Sequence, residues 1–196
     1  MTDWDRVHRI NYESTAFLFY NWIGKAKALI ESAKLIEPEV IRYWENSREE
    51  LEGKTNKHIP DYYIGPYFML IAFALENLLK AAIIRGNSYE YKMNFRRSLS
   101  FPKELKKHDL VYLAKKVEIR FTMEEEDLLR RLTRSAIWYG RYPIPLDYKK
   151  TSGAETFSDG KEYSVSWFGF NDVARLNKFI NDLILSLDIQ DIWIRS

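Results

Sequence analysis

The sequence predicts an all-α protein, an up-and-down helical bundle with a short non-helical or hairpin insertion near 146–168. Apolar residues recur at helical spacing along most of the 196 residues. Residues typical of helix starts and stops, such as Thr122 and Gly140, bound these periodic segments. The pattern breaks clearly only in the insertion, and we therefore expect helices to build the core.

Two helices are expected before residue 53. The first spans roughly 13–35, with apolar positions one helical turn apart. Pro38 suits the first turn of a second helix, because an N–H at that position would have no partner within the helix. This helix is expected to end near Gly53, which offers a C-terminal stop, and residues 53–62 then form a loop.

The most apolar segment, about 64–85, is expected to form the central helix because its apolar stripe is wide. Gly86 and Asn87 are expected to end it. Residues 87–107 interleave basic and aromatic side chains. Such a pattern is typical of segments that bind nucleic acid, but a solvated connection anchored by a few aromatics is favoured.

Two capped helices follow this connection. Asp109 is a typical N-cap for a short helix at 110–118, because its carboxylate can accept a backbone N–H. Thr122 and Glu125 form a capping box for a helix at 123–140. The acidic residues in the first turn of that helix suit the positive end of its dipole and do not indicate a metal site.

The C-terminal part is expected to contain a hairpin and a last helix. Residues 158–161, Ser-Asp-Gly-Lys, are a turn signal between two short extended segments. The last helix is expected at about 171–187. The tail at 189–194 is too apolar to be free in water, so it should pack on the body or on a partner.

Composition narrows the class of protein. Hydrophobic residues at 46% and charged residues at 30% exclude a disordered chain, and a net charge of +2 does not by itself imply nucleic acid. Zero cysteines exclude disulfides and a cysteine nucleophile, and three histidines argue against a multi-histidine metal site. We therefore expect neither metal nor cofactor.

The length of the chain and its apolar segments indicate the expected number of domains and the expected relation to membranes. The chain fits one domain, 1–196, with an N-terminal helical extension at 1–60 packed on a core at 63–187. The first residues lack the features of a signal peptide. No apolar run is long enough for a membrane span, since the longest is interrupted by Glu76 and Asn77. A cytoplasmic protein that does not bind membranes is expected.

Aromatic residues are unusually frequent, with 13 Tyr, 11 Phe and 6 Trp, or 15% of the chain. This is more than a core of this size needs. Either they cap a helical core, or they form an interface, where Tyr and Trp are enriched. Both interpretations stay open.

The helix expected at 123–140 carries the most informative pattern. On a helical wheel, one side is apolar and is expected to face the core. The opposite side carries Arg130, Arg134, Trp138 and Arg141. Because an indole lies beside three guanidinium groups, we expect this helix to be covered on both faces, by the insertion or by a second subunit.

These four residues are candidates for binding an anion or nucleic acid, since guanidinium presents a fork of donors to phosphate. The alternative is ion pairing with acidic side chains three or four residues away. For Arg130 the ion pair is favoured. For Arg134 and Arg141 the two interpretations are nearly balanced.

Glu76, Lys80 and His108 are secondary candidates. Glu76 and Lys80 are four residues apart in the most apolar helix, so a structural salt bridge is favoured, because polar groups near a core need partners. The alternative is that Glu76 faces the arginines from a neighbouring helix. For His108, a hydrogen bond at a helix start is favoured over catalysis. The standard catalytic motifs are absent.

Three segments together resemble the HEPN superfamily (higher eukaryotes and prokaryotes nucleotide-binding). Residues 74–81, Ala-Leu-Glu-Asn-Leu-Leu-Lys-Ala, are similar to its alanine-x-glutamate-x-x-x-lysine helix. Residues 105–113 are similar to its His-Asp-Leu-x-x-Leu segment, and 134–143 to its third motif region. The resemblance covers about 63–143 and the last helix.

The resemblance implies a helical bundle that pairs into dimers. Many members of the family are metal-independent ribonucleases of toxin or antiviral systems, with an arginine followed four to six residues later by a histidine. Here Arg134 matches the arginine, but Tyr139, Gly140 and Arg141 occupy the positions where the histidine is expected. Arginine stays protonated at any working pH, so Arg141 cannot act as a general base.

We therefore expect a catalytically degenerate HEPN-like protein in a toxin–antitoxin or defence context. It would act through homodimerisation and through binding of RNA, a nucleotide or a protein, rather than as an enzyme. One alternative is a metal-independent ribonuclease with non-standard residues, such as Arg134 with His108 or Glu76. A further alternative is a helical scaffold for protein–protein interaction.

Overall fold

The structure is a computed structural model that describes residues 3–139, 154–156, 160, 162–164 and 168–195. These residues form seven α-helices, with α3 at the centre, which confirms the predicted all-α bundle. The helices are α1 (Asp3–Ala16), α2 (Phe19–Leu51), α3 (Ile64–Ser98), α4 (Leu110–Lys116), α5 (Met123–Arg134), α6 (Asp172–Ser186) and α7 (Gln190–Arg195).

The short hairpin interrupts the helical pattern where the sequence predicts it. Strands β1 (Ala154–Thr156) and β2 (Glu162–Ser164) pair antiparallel, with Glu155 opposite Tyr163. Gly160 lies between them with a φ of +75°, which glycine adopts without steric cost. The predicted hairpin is confirmed for these residues, and most of the rest of 146–168 lies outside the described residues.

Helix α3 lies at the centre of the bundle, as predicted. Tyr67 of α3 donates a hydrogen bond to Glu37 Oε2 at 2.9 Å, and Asn177 of α6 donates to Glu37 Oε1 at 3.2 Å, so one carboxylate joins α2, α3 and α6. Burial and the charge of Glu37 raise the pKa of Tyr67. The helix has the length and mean hydropathy of a membrane span, but 72% of that stretch is buried, as in a core helix.

The predicted break before Pro38 is wrong. Pro38 lies inside one continuous helix, α2. A proline in a helix interior costs about 3 kcal/mol, but Ala33 and Val40 on either side are fully buried in the core. Tertiary packing on both sides of Pro38 therefore outweighs the local preference for a helix start. Whether 1–60 forms an extension of a separate core stays a prediction.

The predicted end of the central helix at Gly86 is also wrong. Helix α3 continues to Ser98, so the first half of the connection expected at 87–107 is helical. Tyr91 and Phe95 are buried beyond Gly86, with ring centroids 6.1 and 5.7 Å from that of Phe17. Their burial outweighs the cost of about 1 kcal/mol for a glycine in a helix.

Helix α1 is the least embedded of the helices. None of its residues is buried, and it is joined to α3 by Arg96, whose guanidinium donates to Glu13 at 2.9 and 2.7 Å. Tyr12 also stacks on Phe95, with ring centroids 5.0 Å apart. Asn21 and Trp22 of α2 also donate to the carbonyls of Thr15 and Ala16, at 3.1 and 2.9 Å, so side-chain contacts from α2 and α3 hold α1 against the bundle.

The C-terminal helices match the prediction closely. Helix α6 buries the face that carries Leu176, Ile180 and Leu183, and Ile189 of the tail is 3% exposed. The tail forms the short helix α7, with Ile192 and Trp193 partly buried against the core. The prediction that this tail packs on the body is confirmed.

Candidate functional site

A buried ion pair lies in the middle of α3. Lys80 Nζ donates to Glu76 Oε1 at 2.7 Å, and the two side chains are only 4% and 11% exposed. Lys80 also lies 5.9 Å from the centroid of the Trp22 ring of α2. The predicted salt bridge between Glu76 and Lys80 is confirmed, and its depth makes the pairing obligatory, because a lone buried charge is costly.

His108 completes this pair from a different part of the chain. Its Nδ1 lies 3.0 Å from both oxygens of the Glu76 carboxylate. Since an ionised carboxylate can only accept, Nδ1 carries the hydrogen, and in the neutral form of such an imidazole Nε2 is the acceptor. The His108 side chain is 64% exposed, so the cluster reaches from the core to solvent.

The start of α4 fixes the position of His108. Asp109 caps the helix by accepting a hydrogen bond from Tyr112 N at 3.0 Å, which confirms the predicted N-cap. Leu110 N donates to Thr133 Oγ1 of α5 at 3.1 Å. His108 is therefore held between a cap on one side and a contact with α5 on the other, rather than by the helix-start hydrogen bond expected for it.

Helix α5 begins as predicted. Thr122 Oγ1 accepts from Glu125 N at 3.2 Å, and Glu125 Oε2 accepts from Thr122 N at 2.8 Å, so the capping box is complete. The leucines of α5 and Ala136 are buried on its core side. The continuous α-helix expected to residue 140 is wrong, however, because a π turn, Ser135–Tyr139, follows Arg134.

The outward side of α5 carries the leading candidates. Arg130 pairs with Glu126 through Nη2 and Oε1 at 2.5 Å, which confirms the favoured ion pair. Arg134, one turn further on, is half-buried, and its pKa is lowered first by burial and second by the positive charge of Arg130. Ile137 on the π turn is 51% exposed.

The π turn changes the expected alignment of this face. Hydrogen bonds from residue i to i+5 advance the chain by less than 100° per residue, so residues after Ser135 do not continue the wheel drawn for an α-helix. The side chain of Trp138 and the whole of Arg141 lie outside the described residues. Their place beside Arg134 stays a prediction.

The sequence prediction missed a second buried cluster next to this face. Arg131 donates to Asp172 of α6 through Nη1 and Nη2, at 2.6 and 3.3 Å, and the two side chains are 5% and 3% exposed. Asp172 also accepts from Gly169 N at 2.8 Å. In the sequence, the only indication of this buried ion pair is that Arg131 lies beside the apolar face of α5.

An aromatic stack closes that cluster. Phe168 lies parallel to Phe68, with ring centroids 3.7 Å apart, and Arg131 lies 5.3 Å from the centroid of the Phe168 ring. Because all these groups are buried, they fix α5 against α3 and α6. They do not offer a surface to a ligand.

The candidate site can bind anions and can accept a proton, but its described residues do not form a metal centre. No group of three or more His, Asp or Glu side chains among the described residues could hold a metal ion. Arg134 and Arg130 present guanidinium groups, and His108 presents a ring nitrogen oriented by Glu76. Guanidinium groups of this kind can bind phosphate, although Arg130 is already paired with Glu126 and no contact joins His108 to either arginine among the described residues.

Comparison of the chain with protein-family models, with curated proteins and with solved structures finds no match in any of the three. The resemblance to the HEPN superfamily therefore stays a prediction, and the three motif segments alone carry it.

Proposed function

We propose that the protein is a HEPN-like homodimer that binds the phosphates of RNA or of a nucleotide on the outward face of α5, without the family's ribonuclease histidine. The strongest support for this proposal is that the first two segments that resemble the HEPN superfamily contact one another in the fold. Glu76 and Lys80 from the first segment bind one another, and His108 from the second binds Glu76. Thr133, one residue before the third, bonds the start of α4.

The charge on α5 is the second support for phosphate binding. The lowered pKa of Arg134 means that the folded protein holds its positive charge less favourably than water does. A bound phosphate would stabilise that charge through charge-assisted hydrogen bonds. The π turn directly after Arg134 is a further support, since such turns are frequent at functional sites.

Fluorescence polarisation with a short labelled single-stranded RNA tests phosphate binding. The double variant Arg130→Gln/Arg134→Gln should weaken binding and should lower the slope of log K against log salt by about 1.4, because each contact to a single strand contributes about 0.7. The matched control is Arg42→Gln/Arg97→Gln, which removes two exposed arginines of α2 and α3. Equal losses in both variants, or no RNA binding at low salt, would contradict the proposal.

Gel filtration with light scattering tests the homodimer. We expect the mass of two chains, and we expect Ile137→Glu to shift the protein towards one chain, because this apolar side chain, three residues after Arg134, is 51% exposed. Tyr62→Glu, at a residue 75% exposed near the start of α3, is the control. A monomeric wild type at all concentrations would remove the dimer without deciding the question of phosphate binding.

The second candidate is a metal-independent ribonuclease, and the orientation of His108 favours it. With Nδ1–H bound to Glu76, Nε2 is left to accept the proton of a ribose 2′-hydroxyl. The 2′ oxygen would then bond to phosphorus, and the P–O5′ bond would break as the 5′ oxygen takes a proton from water. The products are a 2′,3′-cyclic phosphate and a 5′-hydroxyl, and Arg134 would stabilise the charge on phosphorus.

Cleavage of labelled RNA in the presence of EDTA separates the two candidates. The ribonuclease predicts that His108→Gln lowers the rate by about 10²–10⁴-fold and that Arg134→Ala abolishes cleavage. The control Lys107→Gln, at an exposed neighbouring residue, should keep the wild-type rate. Full cleavage by either site variant would remove this candidate, and binding without cleavage by the wild type would favour the first.

A further inference from the structure

A cleft of about 630 Å³ is lined by residues other than those of the candidate site. Its walls come from the middle of α3, the connection between α4 and α5, and the end of α6. Helix α4 starts at Leu110, next to His108, and ends at Lys116 on the wall of this cleft. The two regions therefore lie at opposite ends of one helix.

Three cationic side chains and one acidic side chain line the cleft. The cations are Arg85, Lys116 and Arg120, the acid is Glu118, and all four residues are exposed. Arg85 Nη1 donates to the carbonyl oxygen of Asp188 at 3.5 Å, which holds this guanidinium at the rim. Among the described residues, Lys116 and Arg120 make no hydrogen bond or close ion pair, although the positive charge of Lys116 also acts on the carboxylate of Glu104. Both therefore keep their donors for a ligand.

The helix ends at the cleft do not cancel this positive charge. Helices α4 and α6 each end at a left-handed residue, Glu118 with a φ of 58° and Asp188 with a φ of 51°. The N–H groups that follow bond back to helix carbonyls, which satisfies part of each end. A helix C-terminus carries about half a negative charge, so the two ends and Glu118 offset about two of the three positive charges, and about one positive charge remains among the lining residues.

Part of the cleft lining is apolar. Val117 and Ile119 are half-buried and present apolar surface, with the buried side chains of Ile83 and Leu187 also in the lining. Asn87 Nδ2 donates to the carbonyl of Ile83 at 2.8 Å, so its Oδ1 is available as an acceptor. A ligand that fits must combine an apolar body with an anionic group, and the cleft volume lies within the range of sites for small molecules.

We propose that this cleft binds a small organic phosphate. Its apolar body would rest on Val117 and Ile119, and its phosphate would be bound by Lys116 and Arg120, with Arg85 beside them. The proposal does not depend on the function proposed for α5, because no residue is shared between the two surfaces.

Calorimetric titration of the full chain with AMP, ribose 5-phosphate and adenosine tests the chemistry of the ligand. We expect AMP to bind more tightly than ribose 5-phosphate, which lacks the apolar body, and more tightly than adenosine, which lacks the phosphate. An RNA oligomer with a terminal phosphate, used as a competitor, distinguishes a free nucleotide from an RNA end as the source. Equal affinity for AMP and adenosine, or no binding of AMP, would overturn the proposal.

Charge removal tests the location of the phosphate. Lys116→Gln/Arg120→Gln should weaken AMP binding about 100-fold, or about tenfold for each cationic side chain that is replaced. The matched control Arg97→Gln/Lys103→Gln removes one arginine and one lysine that are exposed and do not line the cleft. Wild-type affinity in the cleft variant, or the same weakening in the control, places the ligand elsewhere.

A substitution that fills the cleft tests the site without destabilising the protein, so that a loss of AMP binding cannot be attributed to unfolding. A Cβ added at Gly86, which lines the cleft, meets no atom within 4 Å. Gly86→Leu should therefore stabilise α3, since leucine is a better helix former, while its side chain blocks the ligand. Gly24→Leu in α2 is the matched control, because Gly24 is equally open and lies outside the cleft. AMP affinity unchanged by Gly86→Leu would contradict the site.

The two proposals fail separately. Because the face of α5 is also proposed to accept a nucleotide, both double variants are titrated with AMP and with RNA. Arg130→Gln/Arg134→Gln should lose RNA binding and keep the AMP binding of the cleft, whereas Lys116→Gln/Arg120→Gln should lose AMP binding at the cleft and keep RNA binding. Loss of AMP binding in Arg130→Gln/Arg134→Gln with full binding in Lys116→Gln/Arg120→Gln would move the ligand to α5 and remove the cleft as a site.

Discussion

Among the described residues, one buried ion pair joins α5 to α6 and another lies within α3, and each has an exposed third partner. In the first, Asp172 binds Arg131 in the core, and exposed Arg175 lies 3.5 Å from the same carboxylate. In the second, Glu76 binds Lys80 in the core, and exposed His108 lies 3.0 Å from Glu76.

The identity of the exposed partner decides what each cluster can do. An arginine keeps its proton at any working pH and can only add charge. An imidazole can accept or release a proton near neutral pH, and its second nitrogen remains available to a ligand. The Asp172 cluster is therefore limited to holding α5 against α6, whereas the Glu76 cluster can stabilise the fold and also take part in chemistry.

The largest effect is expected from Asp172→Asn. The substitution leaves the buried Arg131 charge without this carboxylate, and breaking a buried pair in this way costs about 3–5 kcal/mol. Denaturant unfolding measures the loss. Arg175→Gln, which removes only the exposed partner, should change the free energy of unfolding by less than about 1 kcal/mol. A loss below that value in Asp172→Asn would show that the cluster does not depend on its charge pair.

Glu76→Gln should rank second, with a loss of about 2–3 kcal/mol, because Lys80 is buried but the cluster has a path to water through His108. Lys80→Met should cost less, since Glu76 keeps His108 as a partner and methionine fills the same apolar surroundings. The same unfolding measurement compares the two variants. A larger loss in Lys80→Met than in Glu76→Gln would mean that His108 does not compensate the carboxylate.

These clusters also show which features the sequence alone can predict. Glu76 and Lys80 are four residues apart on one helix, so their pairing follows from local geometry. His108 lies 32 residues from Glu76, and Asp172 lies 41 residues from Arg131, so neither contact leaves a local pattern. The residues of the candidate site were therefore found individually, but the partners that define its chemistry required the fold.

The same distinction explains the errors in the predicted helices. The caps at Asp109 and Thr122 are local hydrogen bonds, and both were predicted correctly. Pro38 and Gly86 are local signals for helix ends, but the buried side chains beyond them pack against other helices and keep the chain helical. Local sequence signals therefore predict a helix start well when a side chain caps the first turn. They predict a helix end less well when buried residues beyond it pack against other helices.

Glu104 extends the comparison of the Asp172 and Glu76 clusters to a carboxylate that is only partly buried. Tyr91 donates to Glu104 Oε1 at 2.7 Å. Burial, the largest single influence, would raise the pKa of Glu104, but the hydrogen bonds from Tyr91 and from the Glu104 backbone, together with the charge of Lys116, outweigh it, and the pKa is lowered. The stability that this contact provides should therefore be present above the unfolded pKa of glutamate, about 4.3, and should be lost as the pH falls through the lower folded value.

Tyr91→Phe measures this contribution. We expect the variant to lose about 1 kcal/mol at neutral pH, and the difference from the wild type should shrink as the medium becomes acidic. Thermal unfolding from pH 7 to pH 3 gives the profile, and Tyr89→Phe, at an exposed residue of the same helix, is the control. A difference that does not change with pH would show that the loss comes from packing of the ring.

The smallest effect on stability is expected from His108→Gln. The side chain is 64% exposed, and glutamine can still donate an amide hydrogen to Glu76, so the free energy of unfolding should change by less than about 0.5 kcal/mol. A loss above about 2 kcal/mol would make His108 a structural partner like the core residues. If stability is kept while RNA binding or cleavage falls, the histidine contributes to function without being needed for the fold. That outcome would separate the Glu76 cluster from the Asp172 cluster, where exposed Arg175 offers no proton to exchange.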